Sequence, residues 1–249
     1  MRRRDFVTAV AGLGAGGAAG LGAGKLIWGQ GGLKWPAEAR MTFSQQGEDI
    51  VLFHVMRDLL KTETGTYMDV GAAEPVLSNN TYLLWGVGHR GVLVEPNPVL
   101  AKKLRDYRAG DKVVEAGVGV DDATEADYYE IKGNPMLNTF SPDWVKDLEA
   151  RGESVERVRK MPLININRII EEQLGKAPDV LSTDIEGLDY SIIKSLDLAR
   201  FRPGAICAET LAMSPDGAPS EITAYLLSQG YHVRGGSTIN TIYVDSGRL

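Results

Sequence analysis

Thr66-Tyr67-Met68-Asp69-Val70-Gly71-Ala72-Ala73-Glu74-Pro75 decides the fold. An apolar run with β-branched ends stops at a glycine, then turns at a proline. That is a buried strand delivering the chain into a loop. A second run, Gly91-Val92-Leu93-Val94-Glu95, has the same form, and Asn97-Pro98 after it reads as an N-cap with proline at the first helical position. The helix it opens is expected to reach about Arg108.

Outward from these two strands, apolar runs alternate with helical patterns. A helix is expected over roughly Gly47–Leu60, with Val51, Val55 and Leu59 on one face, and another near Thr81–Trp85. Further strands are expected at Lys112–Ala116, Asp127–Ile131, Val180–Asp184 and Ala205–Glu209. The segment Gly133–Gly152 reads as a loop carrying a short helix capped by Ser141-Pro142, an insertion suited to covering a substrate. Ser220 caps a helix to about Gln229, and His232–Arg234 with Thr241–Val244 suit a closing hairpin. Together these predict a Rossmann-like, doubly wound α/β domain, with a mostly parallel seven-stranded sheet and helices on both faces.

Composition narrows the classes. The chain has 249 residues and a net charge of −6, and residues 1–40 alone hold six basic and two acidic groups. The rest carries 21 basic and 31 acidic residues, a balance of −10. Such a body is ill suited to nucleic acid, which needs clustered lysine and arginine. The single cysteine, Cys207, lies among Ala205, Ile206 and Ala208 and reads as a small core residue. His54, His89 and His232 are scattered, without zinc-ligand spacing.

Residues 1–40 read as a separate leader, with the domain at 41–249. Arg3-Arg4-Asp5-Phe6-Val7 precedes an uncharged stretch to Gly24, which resembles a twin-arginine export signal. Gly12, Gly16, Gly20 and Gly24 also allow a membrane anchor with close helix packing. A disordered leader and a domain start at Met41 are the remaining readings. The leader points to export or membrane association.

Open α/β sheets bind ligands beyond the carboxyl ends of their strands, at the switch point. Those ends carry Asp69 and Gly71, Glu95, Glu115 to Gly117, Asp184 and Glu186, and Glu209. Glu95 follows Gly71 by 24 residues, where an acid can accept both hydroxyl protons of a ribose. The first loop separates two nucleosides. A dinucleotide needs GxGxxG, so that pyrophosphate can approach bare backbone. Here there is one glycine, a carboxylate and a proline without an N–H. S-adenosylmethionine, which has no phosphate and presents an ammonium and a sulfonium, fits this loop better.

The runs Ser44-Gln45-Gln46-Gly47-Glu48-Asp49, Tyr67–Ala72, Ser78-Asn79-Asn80-Thr81, Gly91–Pro98 and Asp184-Ile185-Glu186-Gly187-Leu188-Asp189-Tyr190 occur in order. Over about Thr42–Glu209 the chain thereby resembles the FkbM-type methyltransferases. The resemblance implies a class I S-adenosylmethionine enzyme, of a kind often methylating oxygen in natural-product or glycan pathways. It implies cofactor contact by Asp69, Gly71 and Glu95 and a site role for Asp184 and Glu186. Where the family has Asn and Gly after the Gly-Ala pair, this chain has Ala73, Glu74 and Pro75.

The expected cofactor set is Asp69, Gly71, Ala72, Glu95, Pro96, Asn97 and Gly117. Asp184 or Glu186 is the expected general base on a hydroxyl of a small-molecule or glycan acceptor. Gln46, Asp49, Asn80 and Glu209 are expected at the substrate or as a lid. In an alternative arrangement Asp184, Glu186 and Glu209 hold Mg²⁺ through oxygen ligands, although no spacing specifies a metal. Two other functions compete: a non-catalytic binding or assembly protein on the same fold, and a nucleotide-dependent oxidoreductase, which the missing glycines disfavour.

Overall fold

The computed structural model describes residues 41–121, 123–185, 187–210 and 220–249. The leader, residues 1–40, and Glu186 lie outside the described residues. Among the described residues no helix is long and apolar enough to cross a membrane.

The chain opens with helix α1 (Glu48–His54) and a π-helical turn (Val55–Leu59). Then follow β1 (Thr66–Val70), α2 (Tyr82–Gly86), β2 (Arg90–Val94), α3 (Pro98–Tyr107) and β3 (Lys112–Val114). Next come β4 (Gly117–Gly119), β5 (Glu125–Ile131), α4 (Pro142–Ala150), β6 (Val155–Asn165) and α5 (Ile166–Gln173). The remainder is β7 (Val180–Thr183), α6 (Asp189–Ser195), β8 (Ala205–Glu209), α7 (Glu221–Ser228), β9 (Tyr231–Gly236) and β10 (Asn240–Asp245).

Seven strands form one sheet in the order β3-β2-β1-β7-β8-β10-β9. All pairs from β3 to β8 are parallel, while β10 runs antiparallel to both β8 and β9. The chain winds outward from β1 through β2 to β3, then returns to the other side of β1 at β7. The crest between β1 and β7 is therefore the switch point, where the two diverging loops leave a crevice.

Strand periodicity divides the core. Met68 and Val70 face one side with Val92, Val94, Leu181 and Ile206, and pack against Ile166, Ile169 and Ile170 of α5 and Ile192 and Ile193 of α6. Tyr67 faces the other side with Leu93, Val180, Ala205 and Cys207, against Leu52, Met56, Leu84 and Leu104. Cys207 is thus the core residue its neighbours suggested.

Three expectations are corrected. The first helix is not a single α-helix over Gly47–Leu60: the amide of Leu60 bonds the carbonyl of Val55, a π-type turn. That turn swings Leu59 outward while Val55 and Met56 stay buried. The third strand ends two residues early, at Val114, and Gly117 instead begins a strand of a second sheet. That second sheet, ordered β4-β6-β5, was only partly foreseen, because β6 is charged along much of its length. The expected insertion is therefore a small three-stranded layer with α4, set beside the crest.

β2 fits closely against β1 only because Gly91, opposite Tyr67, has no side chain. A Cβ there would lie 2.1 Å from the Tyr67 carbonyl oxygen and 2.3 Å from its ring. Gly91→Ala is expected to destabilise the fold by about 3 kcal/mol, as overpacking does in rigid cores. Urea denaturation checks this, and an unchanged midpoint would contradict the packing described.

Candidate active site at the sheet crest

A cleft of about 590 Å³, counting its open mouth, lies over the crest. Val70, Gly71 and Ala73 enter it from β1, Val94, Glu95 and Pro96 from β2, and Asp184, Ile185 and Leu188 from β7. Ala116, Gly117 and Val118 extend the floor, and Tyr128, Met136, Asn138 and Phe140 of the inserted layer form the opposite wall.

Gly71 makes the crest passable. Its φ is +80°, and a Cβ would stand 2.2 Å from the Asp184 carbonyl oxygen. Only a bare backbone lets the two diverging loops touch here. Its amide, like that of Ala72, donates to the carbonyl of Val94, at 3.0 and 3.2 Å.

Glu95 is buried, and both its carboxylate oxygens face backbone donors. The amide of Asn97 donates to Oε1 at 2.7 Å and that of Ala73 to Oε2 at 3.0 Å. Burial nevertheless pushes its pKa up to about 7, helped by the nearby charges of Asp69 and Glu74. Each oxygen has a second lone pair, the capacity that a diol needs.

The inserted layer supplies an apolar, aromatic wall. The Tyr128 and Phe140 rings sit 4.8 Å apart. Phe140 rests on Gly117, where a Cβ would come within 2.5 Å of the ring. This wall was not anticipated in detail. The aromatic residues were visible in the sequence, but their approach to Gly117 depends on the second sheet.

The expected cofactor residues divide in two. Gly71, Glu95, Pro96 and Gly117 line the cleft. Asp69, Ala72 and Asn97 stand behind it. Asp69 shares its strand face with Tyr67, so it points beneath the first loop, where it accepts from Thr81 Oγ1 at 2.7 Å and Asn79 Nδ2 at 3.4 Å. Burial raises its pKa, opposed by the Thr81 hydroxyl and by Arg108. Ala72 is buried in the core. Asn97 caps α3, accepting from the Val99 amide at 2.9 Å, and reaches Glu95 only through its own backbone.

The expected substrate and lid residues fall away from the cleft. Gln46 accepts from the amide and hydroxyl of Thr238, at 3.0 and 2.7 Å, tying the N-terminal turn to the β9–β10 hairpin. Asp49 is buried against Thr42, Ser44 and the amide of Phe43. Asn80 donates to Ser182 at 3.2 Å beneath the sheet crest. Glu209 ends β8 on the same face as Cys207, opposite Asn240. Glu209 is not among the residues lining the cleft, whereas Asp184 is. Among the described residues no cluster of three His, Cys, Asp or Glu side chains could hold a metal.

Two features were missed. Asn79 pins the first loop by donating to the carbonyls of Ala72 and Glu74, at 3.0 and 3.2 Å. Asp189 opens α6 beside Asp184. An acid at a helix start reads as an ordinary charge on the dipole, so nothing singled it out. It is buried, its Oδ1 lacks a hydrogen-bond partner among the described residues, and its Oδ2 accepts a long bond, 3.4 Å, from the Ile185 amide. Burial, and then the charge of Asp184, raise its pKa to about 7.

The sign of that shift makes a prediction. A carboxyl whose folded pKa is raised stabilises least once ionised, so its contribution is lost as pH rises through about 7. Asp189→Asn should leave stability nearly unchanged near pH 4. It should then raise it progressively, by on the order of 3 kcal/mol at pH 8. Thermal melts across that range check this, and a gain independent of pH would contradict a buried titrating carboxyl.

Residues 69–233 match the methyltransferase FkbM domain model. No curated protein matches the chain. In outline the fold is similar to a TehB-like SAM-dependent methyltransferase from Corynebacterium glutamicum (8% identity, TM-score 0.42, covering 82% of this chain and 89% of that one). It is also similar to an O-methyltransferase from Bacillus cereus in complex with SAH (12% identity, TM-score 0.44, covering 84% of each chain). At that distance neither likeness bears on substrate or mechanism. The domain match spans most of the chain, from the strand that opens the crest to the closing hairpin, and the chain belongs to the FkbM methyltransferase family.

Proposed function

We propose that this chain is an S-adenosylmethionine-dependent O-methyltransferase acting on a hydroxyl of a small-molecule or glycan acceptor. One observation carries the reading: Glu95, Gly71 and Asp184 converge on one cleft from the ends of three adjacent strands.

The lining suits the cofactor. No lysine, arginine or histidine is among the described residues of the cleft, so a pyrophosphate would find no cation there. Two carboxylates, Glu95 and Asp184, face it instead, and these favour a ligand carrying positive charge. Glu74, the acid of the altered loop, points away and pairs with Lys103 at 2.6 Å. The Ala73-Glu74-Pro75 departure thus does not place that charge among the cleft's lining residues.

When bound, S-adenosylmethionine would supply an electrophilic methyl group on a sulfonium. Glu95 accepts the ribose hydroxyl protons, while Gly71 and Ala73 offer close backbone. The wall of Tyr128, Met136 and Phe140 excludes water and takes the flat adenine face. Asp184 is the base: it accepts the acceptor's hydroxyl proton, leaving an oxygen able to take the methyl group. Holding donor and acceptor in line is the main catalytic contribution. Glu186, in the same loop as Asp184, is the second candidate for proton transfer.

The acidic body repels phosphate polymers, which favours a small-molecule or glycan acceptor.

With S-adenosylmethionine saturating, Asp184→Asn should lower kcat by about 10²–10⁴-fold, the usual size of a lost general base. Cofactor affinity should stay within a few fold. Transfer of a labelled methyl group to a panel of hydroxylated acceptors measures both quantities. Undiminished turnover would remove Asp184 from the base role, and label appearing on nitrogen or carbon would overturn the oxygen assignment.

A further inference from the structure

A buried arginine lies under the first loop, and the mechanism above does not use it. Arg108 follows α3 directly, and its side chain is fully excluded from solvent. A guanidinium has five N–H groups, and here five acceptors surround it. Nε donates to Asp111 at 3.1 Å. Nη1 donates to the Pro75 carbonyl at 3.2 Å and to Asn79 Oδ1 at 3.1 Å. Nη2 donates to the Tyr67 hydroxyl at 2.9 Å and to Thr81 Oγ1 at 3.0 Å.

These contacts end on the loop that carries the family departure. Arg108 holds the carbonyl of Pro75 directly. Through Asn79 it holds those of Ala72 and Glu74, at 3.0 and 3.2 Å. Three carbonyls are drawn down, and the amide of Ala73 is left facing up, 3.0 Å from Glu95 Oε2. Ala73 has a φ of +48°. A non-glycine residue in that region is strained by roughly 1–2 kcal/mol, so the loop needs something to hold it.

We propose that Arg108 is a positioning residue of the cofactor site. By clamping the 72–75 carbonyls from below, it aims the Ala73 amide at Glu95 and so orients the ribose-binding carboxylate. This rests on reading the cleft as an S-adenosylmethionine site. Lysine cannot substitute, because its ammonium lacks the planar fork that serves Pro75, Asn79 and Thr81 together. Asp111 is the counter-charge, on the side of Arg108 remote from the loop, and also accepts from the Gly91 amide at 2.8 Å.

The test compares Arg108→Lys, Asn79→Ala and Asp111→Asn. Asn79→Ala cuts the link from the loop side and keeps the buried cation, so it stands in if Arg108→Lys does not fold. Two readouts are used: calorimetric titration with S-adenosylhomocysteine, and the amide NMR shift of Ala73 in the unliganded protein. Arg108→Lys and Asn79→Ala should weaken binding about tenfold or more and move the Ala73 amide toward a weaker hydrogen bond. Asp111→Asn should lower the melting temperature yet leave affinity and that amide near wild type. The proposal is overturned if the amide and affinity are unmoved in the first two variants. It is equally overturned if Asp111→Asn weakens binding as much as they do, since general softening would then suffice. Wild-type protein that binds no S-adenosylhomocysteine refutes the cofactor reading itself, while the amide shift still decides whether Arg108 holds the loop.

Discussion

Everything at the crest depends on one steric constraint, the contact between the bare Cα of Gly71 and the backbone of Asp184. The chain leaves β1 in one direction and β7 in the other, and the two departing loops meet where any side chain would collide with a carbonyl oxygen 2.2 Å away. Because they touch, Asp184 stands over the same cleft that Glu95 closes from the neighbouring strand. A ligand can then be gripped at one end and presented to a carboxylate at the other. The seven-stranded order of the sheet is what brings these ends together.

A polar layer beneath the first loop supports that contact. Asp69, Asn79, Thr81, Tyr67, Arg108 and Asp111 form one buried network. A buried network of this kind is costly unless every member is satisfied, and Arg108 meets an acceptor at each of its donors. It gives a loop with only one glycine the rigidity that other nucleoside-binding loops draw from glycine-rich turns. It also places Asp69, an acid that looks like a ligand contact in the sequence, whose Oδ2 accepts from both Thr81 and Asn79.

Much of this was legible from residues alone. Largely apolar, buried runs mark parallel strands covered on both faces, and β1, β2, β7 and β8 all carry them. Glycine, proline and N-cap signals placed the loops, as at Asn97-Pro98. What local pattern could not settle was side-chain direction. Asp69 and Gly71 are two residues apart, yet the strand's alternation sends Asp69 under the loop while Gly71, just past the strand end, opens onto the cleft. The second sheet was obscured for another reason. β6 carries charged, exposed residues such as Glu156 and Lys160 with little apolar signal, and its pairing with β5 and β4 is what makes it a strand. Gln46 and Asp49 looked like a lid because their polar cluster preceded the first strand, but their partners lie within the N-terminal turn and the far hairpin.

The most direct measurement is a crystal structure of the protein with S-adenosylhomocysteine. The account predicts both ribose hydroxyls within hydrogen-bond distance of Glu95, the adenine against Phe140 and Tyr128, and the sulfur on the Asp184 side. A ligand seated elsewhere, or a crest filled by the protein's own side chains, would contradict it.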